Sequence, residues 1–129
     1  EVALGELDRT FGDVYGNDAG HLEFQYTARA SYALNKAFGA PIGKAFGITV
    51  GAPAGIGVVL ADTAVKAATV DVIGYASPAG GTSYSNEVIS FLSGDSGAVR
   101  QAIIAAREVG IPLLGALGAK PESTTTPYI

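Results

Sequence analysis

Polar and apolar positions alternate most cleanly at Leu22, Phe24 and Tyr26, separated by Glu23, Gln25 and Thr27, which is the period-2 signature of a half-buried strand. Phe46, Ile48 and Val50 repeat the spacing and predict a further strand with those side chains on one face. Ahead of both, Val2, Leu4, Leu7, Phe11 and Val14 recur among acids at a loosely helical spacing. They predict a helix end across residues 1–15, stopped by the turn-rich Gly16-Asn17-Asp18-Ala19-Gly20. Residues 28–38 predict a short helix, punctuated by Gly39, Pro41 and Gly43.

After Gly51-Ala52-Pro53-Ala54, the residues Ile56, Val59, Leu60, Ala64 and Ala67 form the stripe of an amphipathic helix, with Asp62 and Lys66 on its polar side. Residues 70–75 and 87–92 are β-rich and predict an antiparallel hairpin with a long loop. Both of its faces are apolar, Val88 and Leu92 on one, Ile89 and Phe91 on the other. The last helix has Asp95 or Ser96 as N-cap and a stripe of Val99, Ala102, Ile103, Ala106 and Val109. Gly110 falls past its predicted end and Pro112 beyond that. Residues 120–129 read as a polar, mobile tail. The resulting order, strand, short helix, strand, helix, strand, strand, helix, predicts an α+β sandwich of helices layered on an antiparallel sheet, without internal repeats.

Composition narrows the chemistry. With no cysteine and one histidine in 129 residues, disulfides, thiolate nucleophiles and multi-histidine metal sites are excluded. Eight Lys and Arg scattered among twelve acids, net charge -4, make no basic patch for nucleic acid. Only 16% of residues are charged, against about 25% in an average domain, so polar surface is scarce and apolar patches are expected to serve as interfaces of an oligomer. No segment reads as a signal peptide or membrane span, because the longest apolar stretch, residues 45–61, is broken by Gly and Pro. A cytosolic protein is expected. Since the chain opens on Glu1, it is expected to be a processed or partial chain.

From Ala45-Phe46-Gly47-Ile48 through Tyr75, and again at Gly94-Asp95-Ser96-Gly97-Ala98-Val99, the sequence resembles the bacterial microcompartment (BMC) shell domain. A strand opening on a small-aromatic-glycine pattern leads to a helix ending Ala61-Asp62-Thr63-Ala64-Val65-Lys66-Ala67-Ala68, the family's A-D-x-x-x-K-A-A. A V-x-x-x-x-Y strand from Val70 to Tyr75, a loop, a strand and G-D-x-G-A-V follow in the family's order over residues 44–110. The resemblance implies a circularly permuted, ferredoxin-like BMC domain, an antiparallel sheet flanked by helices, with the closing strand moved to the front as residues 21–27. Gly81-Thr82-Ser83-Tyr84-Ser85-Asn86-Glu87, residues 94–110 and the ending Pro127-Tyr128-Ile129 resemble the C-terminal half of tandem-domain members from propanediol- or ethanol-utilising compartments. On that reading residues 1–15 are the end of a preceding domain or an N-terminal helix, 16–118 the permuted shell domain and 119–129 a polar tail.

What the resemblance implies for function is a structural, non-enzymatic protein whose self-assembled rings, trimers of tandem chains or hexamers of single domains, tile with other shell proteins. It would sit in the microcompartment shell in the cytoplasm and enclose enzymes that handle a volatile or toxic aldehyde. Those enzymes are possible further partners; no cofactor, nucleic acid or membrane is implied. Ser77, Pro78, Ala79, Gly80, Gly81, Thr82 and Ser83 correspond to the loop lining the central pore, an uncharged lining suited to small polar metabolites; the bland alternative is an ordinary hairpin loop. Ser83, Ser85, Asn86 and Glu87 could line a smaller channel within the subunit. Lys66 matches the family's ring-edge lysine, or else is an ordinary exposed i,i+4 partner of Asp62.

Other constellations are weaker. His21, Asp62 and Ser96 run in serine-protease order, but Asp95 and Ser96 are explained as helix caps and His21 as the start of a strand. Gly51, Gly55 and Gly57 lack G-x-G-x-x-G spacing and read as a tight turn with close helix packing. Arg100 and Arg107 read as the outer face of the last helix, and Phe24, Tyr26, Phe46 and Phe91 as core or interface. The rival from another class is a small-molecule-binding regulatory domain of similar α+β type, which predicts a saturable ligand site and small oligomers. An enzyme ranks third, because no carboxylates and histidine gather for acid-base work.

Overall fold

The computed structural model describes residues 10–77 and 87–123. In chain order these form β1 (Thr10–Gly16), β2 (His21–Thr27), α1 (Tyr32–Phe38), β3 (Ala45–Ala52), α2 (Ala54–Ala67), β4 (Asp71–Ala76), β5 (Val88–Gly94), α3 (Ser96–Leu117) and the two-residue β6 (Glu122–Ser123). They make one sheet in the order β4-β5-β3-β2-β1-β6, antiparallel at every pairing. The sandwich expected from the sequence is present, as are the alternation in β2 and the β4–β5 hairpin.

The two faces of the sheet are built differently. On one face Leu22, Phe24 and Tyr26 meet Leu60 and Ala64 of α2 and Val99, Ile103 and Ala106 of α3 in the main core. Small residues in β3 let the helices approach: a Cβ added to Gly47 would fall 2.9 Å from Val99 and Ile103, and one on Gly51 would fall 2.6 Å from the Gly57 backbone. On the other face Phe46 and Ile48 project as expected, with Ile73, Phe91 and Leu34 around them. Short α1 closes over this second cluster, stacking Phe38 on Phe46 and Phe91 with ring centroids 5.5 and 4.9 Å apart. Ser31 caps α1 by accepting from the Leu34 N–H, so the helix begins later than the predicted residues 28–38.

Three further expectations are corrected. Of the helix predicted over residues 1–15, Thr10–Gly16 is the strand β1, with residues 1–9 outside the described part. Phe11 stacks on Tyr26 and Tyr15 packs edge-on against Phe24; Asp13, between them on that face, is satisfied by Arg107 of α3 at 2.6 Å. A period-2 strand carrying an acid on its inner face looks helical when only the apolar residues are counted. The final helix does not stop before Gly110 but runs on to Leu117. Gly110 is buried under Leu60 and Leu22, where a larger residue would clash, and Pro112 stands on the exposed side. Val59 and Val109, assigned to the buried stripes, are each 39% exposed, and their places are taken by Gly57 and Gly110.

The predicted mobile tail is held in its described part, since Pro121 is buried and Glu122 and Ser123 pair with Gly16 and Tyr15. The β1–β2 turn fastens the end of α3. Asn17 donates through Nδ2 to the carbonyls of Leu114 (3.0 Å) and Ala119 (2.7 Å) and accepts the Ala19 and Gly20 amides on Oδ1.

One buried hydroxyl is left over. Thr49 Oγ1, beneath the helices, meets no hydrogen-bond partner among the described residues. Thr49→Val removes that desolvated group at nearly constant shape and is expected to stabilise the fold by about 1 kcal/mol, read as a higher urea midpoint at unchanged slope.

Candidate functional site

The features singled out by the sequence lie at opposite ends of the sheet. Strand β3 runs toward the end where Gly51 pairs with Val88. There α2 begins, its Gly57 packed against Val88, and it runs back for 14 residues, roughly 20 Å, before β4 starts at Asp71 opposite Ser93. The β4–β5 loop is therefore at one end and Lys66, in the last turn of α2, at the other.

Of the loop, Ser77 and Glu87 are described, while Pro78, Ala79, Gly80, Gly81, Thr82 and Ser83 lie outside the described residues, as do Ser85 and Asn86. The stem is tied twice at Glu87. Ser77 Oγ donates to the Glu87 carbonyl at 3.1 Å, and the Glu87 carboxylate lies 3.1 Å from Nε2 of His21 at the start of β2. The sequence showed both residues but not their pairing, because they are 66 positions apart. The stem thus presents a hydroxyl and a partly buried His–Glu contact.

Lys66 Nζ contacts Asp62 Oδ2 at 2.7 Å, with both side chains mostly exposed. Such an i,i+4 pair contributes only about 0.3–0.5 kcal/mol, so the lysine is lightly held. Arg100 is exposed as expected. Arg107 is not: it is half-buried, pairs with Asp13 and lies over the Phe11 ring at 5.8 Å, so it fastens β1 to α3.

The protease-like order does not assemble. His21 is engaged by Glu87 and Asp62 by Lys66. Ser96 opens α3 beyond Gly94, at the end of the sheet where β3 begins, away from His21 opposite Ala52. Gly51 and Gly57 are a close helix-to-strand contact, as read from the sequence, while Gly55 faces open space. Among the described residues no three His, Asp or Glu side chains gather to hold a metal, and no helix is long and apolar enough to cross a membrane.

Comparison with known proteins matches this architecture. Residues 45–119 match the family model described as the BMC domain, which leaves β1 and β2 ahead of the match, where a permuted order puts them. The chain is 67% identical over its whole length to the bacterial microcompartment shell protein PduB of Citrobacter freundii, of which it spans 48%. Among solved structures it is similar to EtuB from Clostridium kluyveri, with TM-score 0.80 and 55% identity over 90% of this chain and 51% of that one. It is also similar to a trimeric bacterial microcompartment shell protein PduB, with TM-score 0.80 and 54% identity over 99% of this chain and 56% of that one. The chain spans about half the length of these relatives. With its fold, its G-D-x-G-A-V turn and more than half of its length matched, this chain belongs to the BMC domain family.

Proposed function

We propose that the chain is a structural, non-enzymatic building block of a bacterial microcompartment shell in the cytoplasm. Its domains close into rings of six, as six single copies or as three tandem chains, that tile with other shell proteins around encapsulated enzymes. The observation that carries this reading is the backbone match to a trimeric shell protein over 99% of the chain at TM-score 0.80. The exposed Val58 and Val65 of α2 and the exposed Val72 and Tyr75 of edge strand β4 support it as surface for neighbours. Ser77 and the residues up to Ser83 line the pore, admitting small polar metabolites and hindering less polar ones. Lys66 serves the ring edge, where its weak tie to Asp62 leaves the ammonium free to reach across to the next ring.

Native mass spectrometry and negative-stain electron microscopy of the purified chain test the assembly. Rings of six domains that tile into sheets are expected. Monomers or dimers that never tile, together with saturable binding of a small molecule, would favour the regulatory reading instead. For the edge, Lys66→Asp places two carboxylates four residues apart on α2 and is expected to leave rings intact while abolishing sheets. Sheets that persist at ordinary salt would remove Lys66 from the edge.

A further inference from the structure

On the face of the sheet covered by α1, the second aromatic cluster leaves space beside it. A cavity of about 460 Å³ is walled there by Leu34 and Phe38 of α1 and by Phe46 and Ile48 of β3. That volume falls within the range of small-molecule sites, about 300–1,000 Å³. Strand register continues the floor: Ile48 pairs with Gln25 of β2 and Phe46 with Thr27, and both β2 residues line the cavity. The next position on the Gln25 row is Gly12 of β1, which adds no side chain on that side.

The lining specifies the chemistry of an occupant. No charged side chain contributes to it, so an ion entering would lose hydration without gaining a counter-charge. A mostly apolar wall also offers water few partners. Phe38 and Phe46 are stacked within 16° of parallel, and Phe91 lies within 27° and 14° of the two. Phe38 is still 37% exposed despite both ring contacts, so a further flat ring can extend the stack in the offset arrangement that aromatic pairs favour. Polar recognition falls to one side chain. Thr27 Oγ1 donates to the Arg29 carbonyl, whereas the exposed Gln25 amide has no hydrogen-bond partner among the described residues. That amide carries both donors and an acceptor, which suits a single hydroxyl, amine or carbonyl.

We propose that this cavity binds an uncharged, flat aromatic molecule carrying one hydrogen-bonding group. Its ring lies along Phe38 and Phe46 and its polar atom meets the Gln25 amide. This inference concerns one domain and does not depend on the shell reading: rings that tile and also bind such a molecule satisfy both.

Equilibrium dialysis of the full chain tests the site, with 2-naphthol as the neutral probe and naphthalene-2-sulfonate as its anionic counterpart. Saturation at one 2-naphthol per chain is expected, with the sulfonate bound about tenfold or more weaker. Leu34→Trp and Gln25→Trp fill the cavity from the helix side and from the strand side. Each is expected to weaken 2-naphthol by about tenfold or more, with the far-UV circular dichroism unchanged as the check on folding. Tyr75→Ser, which removes a side chain 78% exposed on β4, is expected to bind as the parent does. Gln25→Leu is expected to abolish the preference for 2-naphthol over naphthalene; a preference that survives removes Gln25 from the site. No saturable binding, a sulfonate bound as tightly as 2-naphthol, or binding lost with Tyr75→Ser but kept in both tryptophan variants would overturn the proposal.

Discussion

Phe24→Ala is expected to cost about 3–5 kcal/mol, close to the whole stability of an ordinary domain, about 5–15 kcal/mol. Phe24 is 0% exposed, sits in the central part of the sheet between β1 and β3, and meets Tyr15 edge-on at 6.4 Å between ring centroids. Truncation leaves a ring-sized void between β2 and the two long helices. That void is hard to refill, because β2 is paired along its length on both sides and cannot sag inward. Phe38, also aromatic, is 37% exposed on short α1, and Phe38→Ala is expected to cost distinctly less. Urea denaturation of both variants at one protein concentration checks this. A loss below about 1 kcal/mol for Phe24→Ala would contradict the core described.

The second large effect turns on a single methyl group. Gly57→Ala places a Cβ 2.6 Å from the Val88 Cβ and 2.9 Å from the Val88 carbonyl oxygen. The neighbour is partly backbone of a central strand, so α2 must lift. Overpacking of this kind costs about 1–3 kcal/mol, more than the gain of about 1 kcal/mol that alanine brings to a helix. At Gly55, two residues earlier in α2, the added methyl meets nothing within 4 Å, so propensity is unopposed and a gain of a few tenths of a kcal/mol is expected in this first turn. Thermal unfolding should therefore move in opposite directions for the two substitutions. Equal shifts would mean that α2 does not rest on β3 and β5 through Gly57.

These glycines also mark what sequence can and cannot reveal. Close packing at Gly51 and Gly57 was legible because glycines at a strand-to-helix junction have few other uses. Strand β2 was legible because one of its faces is polar and the other buried. Strand β1 was not, since its inward Asp13 is neutralised by Arg107, 94 residues away, and no local pattern announces that partner. The length of α3 was hidden for a related reason: Gly110 reads as a stop signal locally, yet it packs closely beneath Leu60, whose Cδ2 would lie 2.8 Å from an added Cβ. At the candidate site, family motifs located Lys66 and the β4–β5 loop, whereas the His21–Glu87 tie depends on strand order, which spacing alone does not encode.

The clamp made by Asn17 has a consequence in time. Its amide joins a turn near the start of the domain to carbonyls 97 and 102 residues later, and closing a loop of that size costs about 4 kcal/mol of chain entropy. A ribosome adding about 5–20 residues per second delivers the β1–β2 hairpin on the order of ten seconds before the end of α3 exists. Until then the hairpin has neither its clamp nor Arg107 to neutralise Asp13, and its outer edge is bare. The nascent domain is therefore most open to wrong partners just before α3 is complete, and Arg107, Leu114 and Ala119 are the residues whose arrival ends that interval.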